Sequence, residues 1–378
     1  MKVVGPEIQR VAGTSQLCAG QKSGCEAAVH AMQQLFDGDG EAVLLVDASN
    51  AFNSLNREAM LHNLQVICPA FATCVINYYR APAALSMGAQ SILSTEGATQ
   101  GDLLSMVIYA LATLPLIELA RRTDANQIWF ADDSCAEGKL NVLLNWWKVL
   151  CTSGPLYGYY VNAPKSWLVV QERFYDDALR LSQGTGVQVT KEGRPLLGAP
   201  LGSPTFVKEY SKEKVASWSE QVDSLSEIAL THPQDAYAAF NHGISSQWTY
   251  LSHVQPDLEQ HLSPLDDKIR KKFLPAICGH PVADADMPLL GLPARLGGLS
   301  IGRPSHDARA AYNSATTSTK PIVQHLVDPS STSSTEAMAL QRSAIADAHT
   351  ARLEELSARA AVVKANVPSR TQRVIETA

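Results

Sequence analysis

No apolar run in this chain is long enough to cross a bilayer. The longest, Leu103 to Ala120, is interrupted by Ser105, Thr113, Pro115 and Glu118 and reads as a core helix. No secretory signal is visible, so an intracellular location is expected, with nuclear and cytoplasmic sites both open. None of the seven cysteines falls at zinc-motif spacing. Cys18 with Cys25, and Cys68 with Cys74, read as reduced thiols. No internal repeat is visible. An excess of positive charge is lacking too: 31 Lys and Arg face 37 Asp and Glu, a net of -6. That balance counts against a nucleic-acid partner held by a broad basic face, although local charge matters more than the sum. What remains is 378 residues with 46% hydrophobic content and a mean hydropathy of -0.06. These values fit a soluble globular protein of two or three subdomains.

Within that ordinary composition, Gln127-Ile128-Trp129-Phe130-Ala131-Asp132-Asp133-Ser134-Cys135-Ala136 reads as a β-hairpin with two acids at its tip. Aspartate is a favoured turn residue, and a solvated turn accounts for an isolated pair. A second stretch, Ala42-Val43-Leu44-Leu45-Val46-Asp47, is a continuous apolar run of the kind found in buried strands, and it ends on a carboxylate. Strands delivering Asp47, Asp132 and Asp133 to one edge would gather three negative charges, which is costly unless cations occupy the cluster. Hard oxygen donors of this kind suit Mg²⁺ completed by water and phosphate oxygens.

Along the chain, a small-residue loop with Lys22 precedes a helix carrying Cys25, Val29, Met32 and Phe36 on one face. Lys22 reads either as a phosphate contact or as a solvated loop lysine. Asn56 is the expected N-cap of the helix bearing Leu61 and Leu64. Phe71, Val75 and Tyr79 mark another helix face, and Leu85 to Leu93 reads as a hairpin around Gly88. Glu96-Gly97-Ala98-Thr99-Gln100-Gly101-Asp102 is a glycine-bracketed turn opening the long apolar helix, able to present N–H groups to a ligand. Leu140, Leu143, Trp147 and Cys151 form a helical stripe expected in the core. Gly193 to Gly202 reads as a short hairpin or bend. After Ser203 only helices are expected as far as Phe273, with Val215, Trp218, Val222 and Leu225 in one stripe. Lys268, Arg270, Lys271 and Lys272 form the dense basic cluster, readable as a nucleic-acid contact or as a solvated helix face. Ser330 to Thr335 is a low-complexity linker, and 336–364 reads as one alanine-rich charged helix.

Taken in order, these stretches resemble the catalytic motifs of reverse transcriptases. Val46-Asp47-Ala48-Ser49-Asn50-Ala51-Phe52 is similar to the first, an acid at a strand end with an aromatic five residues on. Glu96-Gly97-Ala98-Thr99-Gln100-Gly101-Asp102 resembles the family's Gln-Gly-Asp motif, and Phe130-Ala131-Asp132-Asp133 its aromatic-x-Asp-Asp hairpin. Gly158 to Lys165 resembles the glycine–asparagine–lysine motif, and Leu197-Gly198 the primer grip. The wording is most like that of non-LTR retrotransposon enzymes. Leu103 stands where the family usually has proline. Nothing before Asp47 matches the family's basic fingers strands, so the chain reads as lacking the N-terminal fingers segment, either a fragment of a longer element or a decayed copy. No endonuclease-like, RNase H-like or zinc-knuckle segment is visible.

The resemblance implies an α/β (α+β) fold: a right-hand palm with partial fingers at 1–202, a helical thumb at 203–329, and a linker and C-terminal helix at 330–378. It implies RNA-directed DNA synthesis from an RNA template and a DNA primer with dNTP substrates, and no membrane partner. Two Mg²⁺ ions, or Mn²⁺ in their place, would be held by Asp47 and Asp132, with Asp133 ranking behind them. Phe52 matches the steric gate against a 2′-OH, its other reading being a core phenylalanine. Gln100 and Gly101 would line the template–nucleotide pocket. Lys165 would protonate the departing pyrophosphate, neutralise its charge, or face solvent. The rival reading is a catalytically silent reverse-transcriptase-like protein that binds RNA or has no activity.

Overall fold

β1 (Ala42–Val46) is apolar at every position, and the strand is enclosed on both faces in the computed structural model, which describes residues 4–38, 40–99 and 101–366. It lies in the middle of a five-stranded sheet of order β4-β5-β1-β6-β7, built with β4 (Asn126–Phe130), β5 (Asp133–Gly138), β6 (Trp167–Val170) and β7 (Gln188–Thr190). All neighbours are antiparallel except β6 with β7. The period of two along β1 sorts its side chains between two cores. Leu44 and Val46 join one with Trp129, Ala136, Leu168 and Val170. Val43 and Leu45 join the other with Ile128 and Cys135.

Helices cover both faces. In chain order they are α1 (Gly5–Ala12), α2 (Gly24–Phe36), the single-turn α3 (Ala51–Ser54), α4 (Arg57–Ile67), α5 (Pro69–Tyr79), α6 (Ser105–Arg121), α7 (Leu140–Tyr157) and α8 (Tyr175–Leu181). The exposed β2–β3 hairpin (Ala83–Met87, Gln90–Ser94) turns at Gly88, and β8–β9 (Gly193–Leu196, Ala199–Gly202) forms a second hairpin. Asn56 caps α4 as expected, its side chain accepting from the Ala59 amide at 2.9 Å. Phe71, Val75 and Tyr79 are buried on α5. On α7 the buried positions are Leu140, Leu143, Trp146, Trp147, Leu150 and Gly154, while Cys151 is exposed; Leu150 takes the place in the stripe expected for Cys151. Helix α2 is enclosed nearly all round rather than along one stripe, since Ala27, Ala28, Val29, Ala31 and Met32 are all buried. Trp129 and Trp146 meet edge to face at 6.1 Å, and the Gln127 side-chain oxygen accepts from both indoles, at 3.1 and 2.8 Å. Each buried indole of this kind contributes about 3–5 kcal/mol.

The chain divides into two compact units. The first comprises the chain up to Leu197, Leu201–Ser203 and Thr319–Arg342. The second comprises Gly198–Pro200, Pro204–Ser318 and the chain from Ser343. The second unit is helical: α9 (Pro204–Ala229), α10 (Pro233–Ala239), α11 (Ser245–Val254), α12 (Ser263–Lys268), α13 (Leu274–Cys278) and α14 (Met287–Leu290), with parts of α15 (Pro304–Val327) and α16 (Ser334–Asn366). Val215, Trp218, Val222 and Leu225 form its expected buried stripe, and Phe240 stacks on Phe273 at 4.5 Å. The sequence suggests a linker from Ser330, but α16 already begins at Ser334. Residues 319–342 pack in the first unit, because Ile322, Val323, Ala337 and Met338 share the second core with α2. The architecture is thus the mixed α/β one expected, with the strands all before Ser203 and only helices after it. Among the described residues no helix is long and apolar enough to cross a membrane.

Candidate active site

The β1–β5 register pairs Val46 with Ser134. Continued one step, it brings Asp47 beside Asp133 where the strands end. Asp132 occupies the turn between Phe130 and Asp133, which pair across the hairpin. The turn is tight enough to force Ala131 to φ +55°, an uncommon conformation for a residue with a Cβ. Its support comes from elsewhere. The buried Gln16 amide donates to the Ala131 carbonyl at 3.0 Å and accepts from the Ala131 N–H at 2.8 Å. From the other side Tyr159 donates to the Asp132 carbonyl at 3.3 Å while sharing a 2.8 Å bond with Ser134.

The three acids share one field. Burial raises the Asp132 carboxyl, a hydrogen bond from its own backbone opposes this, and the charge of Asp47 raises it again. Asp133 is pushed up to about 6 by desolvation, then by Asp132 and Asp47. Asp133 keeps an open side toward solvent, and the charges of Asp132 and Asp47 add to the desolvation that already sets it apart from an ordinary turn aspartate. Among the described residues no Lys or Arg pairs with any of the three, and no three His, Cys, Asp or Glu side chains form a ready metal cage. The donors therefore offer hard oxygens and unneutralised charge, which fits a hydrated Mg²⁺ sharing its remaining positions with a ligand's oxygens.

Asp47 itself is fixed by its backbone. Its N–H donates to Ser166 Oγ at 3.2 Å, and its carbonyl accepts from the Asn162 N–H at 2.8 Å. Lys165 lies in the single 3₁₀ turn between these two, exposed and without an ion pair among the described residues. Gly158 makes the approach possible, because a Cβ there would lie 2.0 Å from the Ser54 carbonyl.

Phe52 sits half-buried on α3, its ring 4.6 Å from that of Tyr109 on α6. The turn expected to line the pocket docks on this short helix: Ala98 donates to the Phe52 carbonyl at 2.8 Å, and Gly97 to the Leu55 carbonyl at 2.9 Å. Gly97, at φ +78°, has no room for a side chain against Asn53. Gly101 is exposed at φ +84° with open space around it, so its requirement is conformational. Gln100 lies outside the described residues. Asp102 turns inward, accepting from the Leu104 N–H at 2.9 Å and from Tyr79 at 3.1 Å, and the same Tyr79 hydroxyl accepts from the Thr99 N–H at 3.1 Å.

The clamp on this turn is Arg57, which the sequence does not single out. Its buried guanidinium donates to the carbonyls of Ser94, Glu96 and Gly97 at 2.8–3.3 Å and to Ser94 Oγ at 3.2 Å, and it lies over the Tyr79 ring at 5.3 Å. One signal was available: Arg57 shares the buried face of α4 with Met60 and Leu64, at helical spacing. Gln16, one polar residue among several in a small-residue loop, offered none.

In the second unit the basic cluster is compensated. Lys268 and Lys272 pair with Asp223, Lys271 with Asp267, and Arg270 with Asp267 and Asp284. That is a paired helix face rather than an open cationic one.

No protein-family profile matches the chain, and no curated protein matches it. Among solved structures it is similar to apo telomerase from Candida tropicalis, at 10% identity and a TM-score of 0.48, over 90% of this chain and 60% of that one. It is also similar to telomerase from Candida albicans in complex with a TWJ fragment of telomeric RNA, at 11% identity and a TM-score of 0.40, over 86% of this chain and 58% of that one. The chain spans about three fifths of the length of these telomerase chains.

Proposed function

We propose that the chain is an RNA-directed DNA polymerase that adds dNTPs to a primer 3′-OH, intracellular and of the non-LTR retrotransposon type that its motif wording resembles. The observation that carries the reading is the convergence of Asp47, Asp132 and Asp133 where the strands end, with no basic partner among the described residues. Asp47 and Asp132, with Asp133 beside them, would hold divalent Mg²⁺, which activates the attacking hydroxyl and stabilises the leaving pyrophosphate. The chain's own part is orientation. Gln16 and Tyr159 fix the acid turn, Ser166 and Asn162 fix Asp47, and Arg57 and Tyr79 hold the 94–102 segment against Phe52, the proposed wall toward the sugar. Lys165, exposed and unpaired beside Asp47, is the proposed proton donor to pyrophosphate.

Primer extension on a heteropolymeric RNA template with Mg²⁺ tests this reading. Wild-type protein should extend, and Asp47→Asn or Asp132→Asn should fall to background with an equal or higher Tm, because each removes a repelling charge. Near wild-type extension by either variant would sink the assignment. The second reading, a catalytically silent relative, is favoured by the ion-paired state of Lys268 to Lys272. It predicts no extension by folded wild-type protein in the same assay.

A further inference from the structure

The segment 13–23 has no helix or strand of its own, yet its middle carries the brace of the acid turn. Gln16 exchanges two hydrogen bonds with Ala131, and the Leu17 N–H donates to the Trp129 carbonyl at 3.0 Å. An irregular segment keeps a partner in an uncommon conformation only if it is itself held, because otherwise each bond must offset the entropy of ordering the loop. One element, the start of α16, holds this loop near both ends. The Thr14 N–H donates to Ser334 Oγ at 3.0 Å, and the Thr14 hydroxyl donates to the same oxygen at 3.3 Å. A Cβ on Gly13 would lie 2.8 Å from that oxygen, so the glycine makes room for the serine. Two turns further along the helix, the Gln341 side-chain amide donates to the Lys22 carbonyl at 2.6 Å, and between them Gln21 reaches Met338. A third anchor, Gln9 to the Gly20 carbonyl at 2.7 Å, is exposed and joins near neighbours in sequence.

The packing of α16 does not require these polar groups. Ala337 and Met338 enter the second core with Ile322 and Val323. Gln341 is 2% exposed, and its Oε1 has no partner among the described residues. A leucine would fill that position without the penalty of a buried unpaired oxygen. What the amide adds is its grip on Lys22. We propose that Ser334 and Gln341 are positioning residues for the acid turn, acting through the 13–23 loop: they fix its ends so that Gln16 meets Ala131 already oriented. The proposal rests on the polymerase reading for what the turn does, and on these hydrogen bonds for how it is held. Both anchors, the loop and the turn belong to the first unit.

The test is amide hydrogen exchange of the purified full chain, read from overlapping peptides at Ala131, whose N–H donates to Gln16. Gln341→Leu and Ser334→Ala should each speed exchange there about fivefold, the loss expected for one uncharged hydrogen bond. The β1–β5 ladder should keep its wild-type rates. Gln16→Leu removes the brace itself and sets the ceiling; in that background Gln341→Leu should add nothing at Ala131, since the two act along one path. In primer extension Gln341→Leu should lower kcat in the same proportion and leave the KM for dNTP unchanged. Ser334 is half-buried and its alanine variant leaves the core intact, so the test stands if Gln341→Leu does not fold. Wild-type exchange at Ala131 in both variants overturns the proposal. A rise spread evenly over the β1–β5 ladder also overturns it, being a loss of stability and not of positioning, and so does a full further rise in the Gln16→Leu background. Faster exchange at Ala131 with unchanged kcat overturns it as well. Wild-type protein that extends no primer overturns the polymerase reading alone, and the exchange rates still decide the anchoring.

Discussion

Two clusters of like charge stand out in the sequence, the acids Asp47, Asp132 and Asp133 and the bases Lys268, Arg270, Lys271 and Lys272, and the chain treats them in opposite ways. Each base finds a carboxylate within its own unit, and Asp223 is held below its ordinary pKa first by its hydrogen bond from Lys268. The acids find no cation among the described residues, and Asp132 and Asp133 are pushed upward. The bases are exposed or half-exposed, where pairing contributes little. The acids are drawn together by strand register, where leaving them unpaired is costly. Density of charge in a sequence therefore says less about function than whether the fold supplies the counter-charge.

Arg57 gives the largest expected effect, because it is a buried charge that the fold does compensate. Arg57→Met strands the carbonyls of Ser94, Glu96 and Gly97 and should cost about 3 kcal/mol in urea unfolding; a loss below about 1 kcal/mol would show that water replaces the clamp. Phe52 tests whether the acid edge is walled against the wrong sugar. Phe52→Ala should lower the dNTP to rNTP preference about tenfold, and an unchanged ratio in a folded variant would return Phe52 to the core. Asp223→Asn turns the compensated cluster into an uncompensated one. It should cost about 1 kcal/mol and increase salt-sensitive binding to a polyanion such as heparin. Equal heparin retention would mean the remaining carboxylates suffice.

Asp133 gives the smallest effect. Its folded pKa of about 6 lies above the unfolded value of about 4. Between those values the folded state binds more protons, so stability falls as pH rises through that window. Asp133→Asn should raise Tm by about a degree or two at pH 7.5, the shift being small because the side chain is open to solvent. At pH 3.5 the two proteins should melt together. A gain that persists at pH 3.5 would assign the effect to something other than charge.

Local pattern made the strand before Asp47, the acid hairpin, the Asn56 cap and the Gly88 turn legible in the sequence, because each is fixed by neighbours a few residues away. The support of the site was not legible. Gln16 matters through Ala131, Arg57 through the 94–97 segment, and Tyr79 through Thr99 and Asp102, all partners that only the folded chain brings near. The fate of the basic cluster was open for the same reason, since Asp223 lies far from Lys268 in sequence. Cys151 was misplaced by one residue because a helical stripe reads similarly at 150 and 151.

The brace between Gln16 and Ala131 joins residues 115 apart in sequence. A contact of that span closes a long loop, whose entropy must be lost before the bond can form. During folding the β4–β5 hairpin can pair early, since its partners are local, but Ala131 gains its supporting hydrogen bonds only when the N-terminal loop docks. The geometry of the acid turn is then among the last things to mature, and partly folded chains carry the acidic residues without the arrangement that brings them to work together.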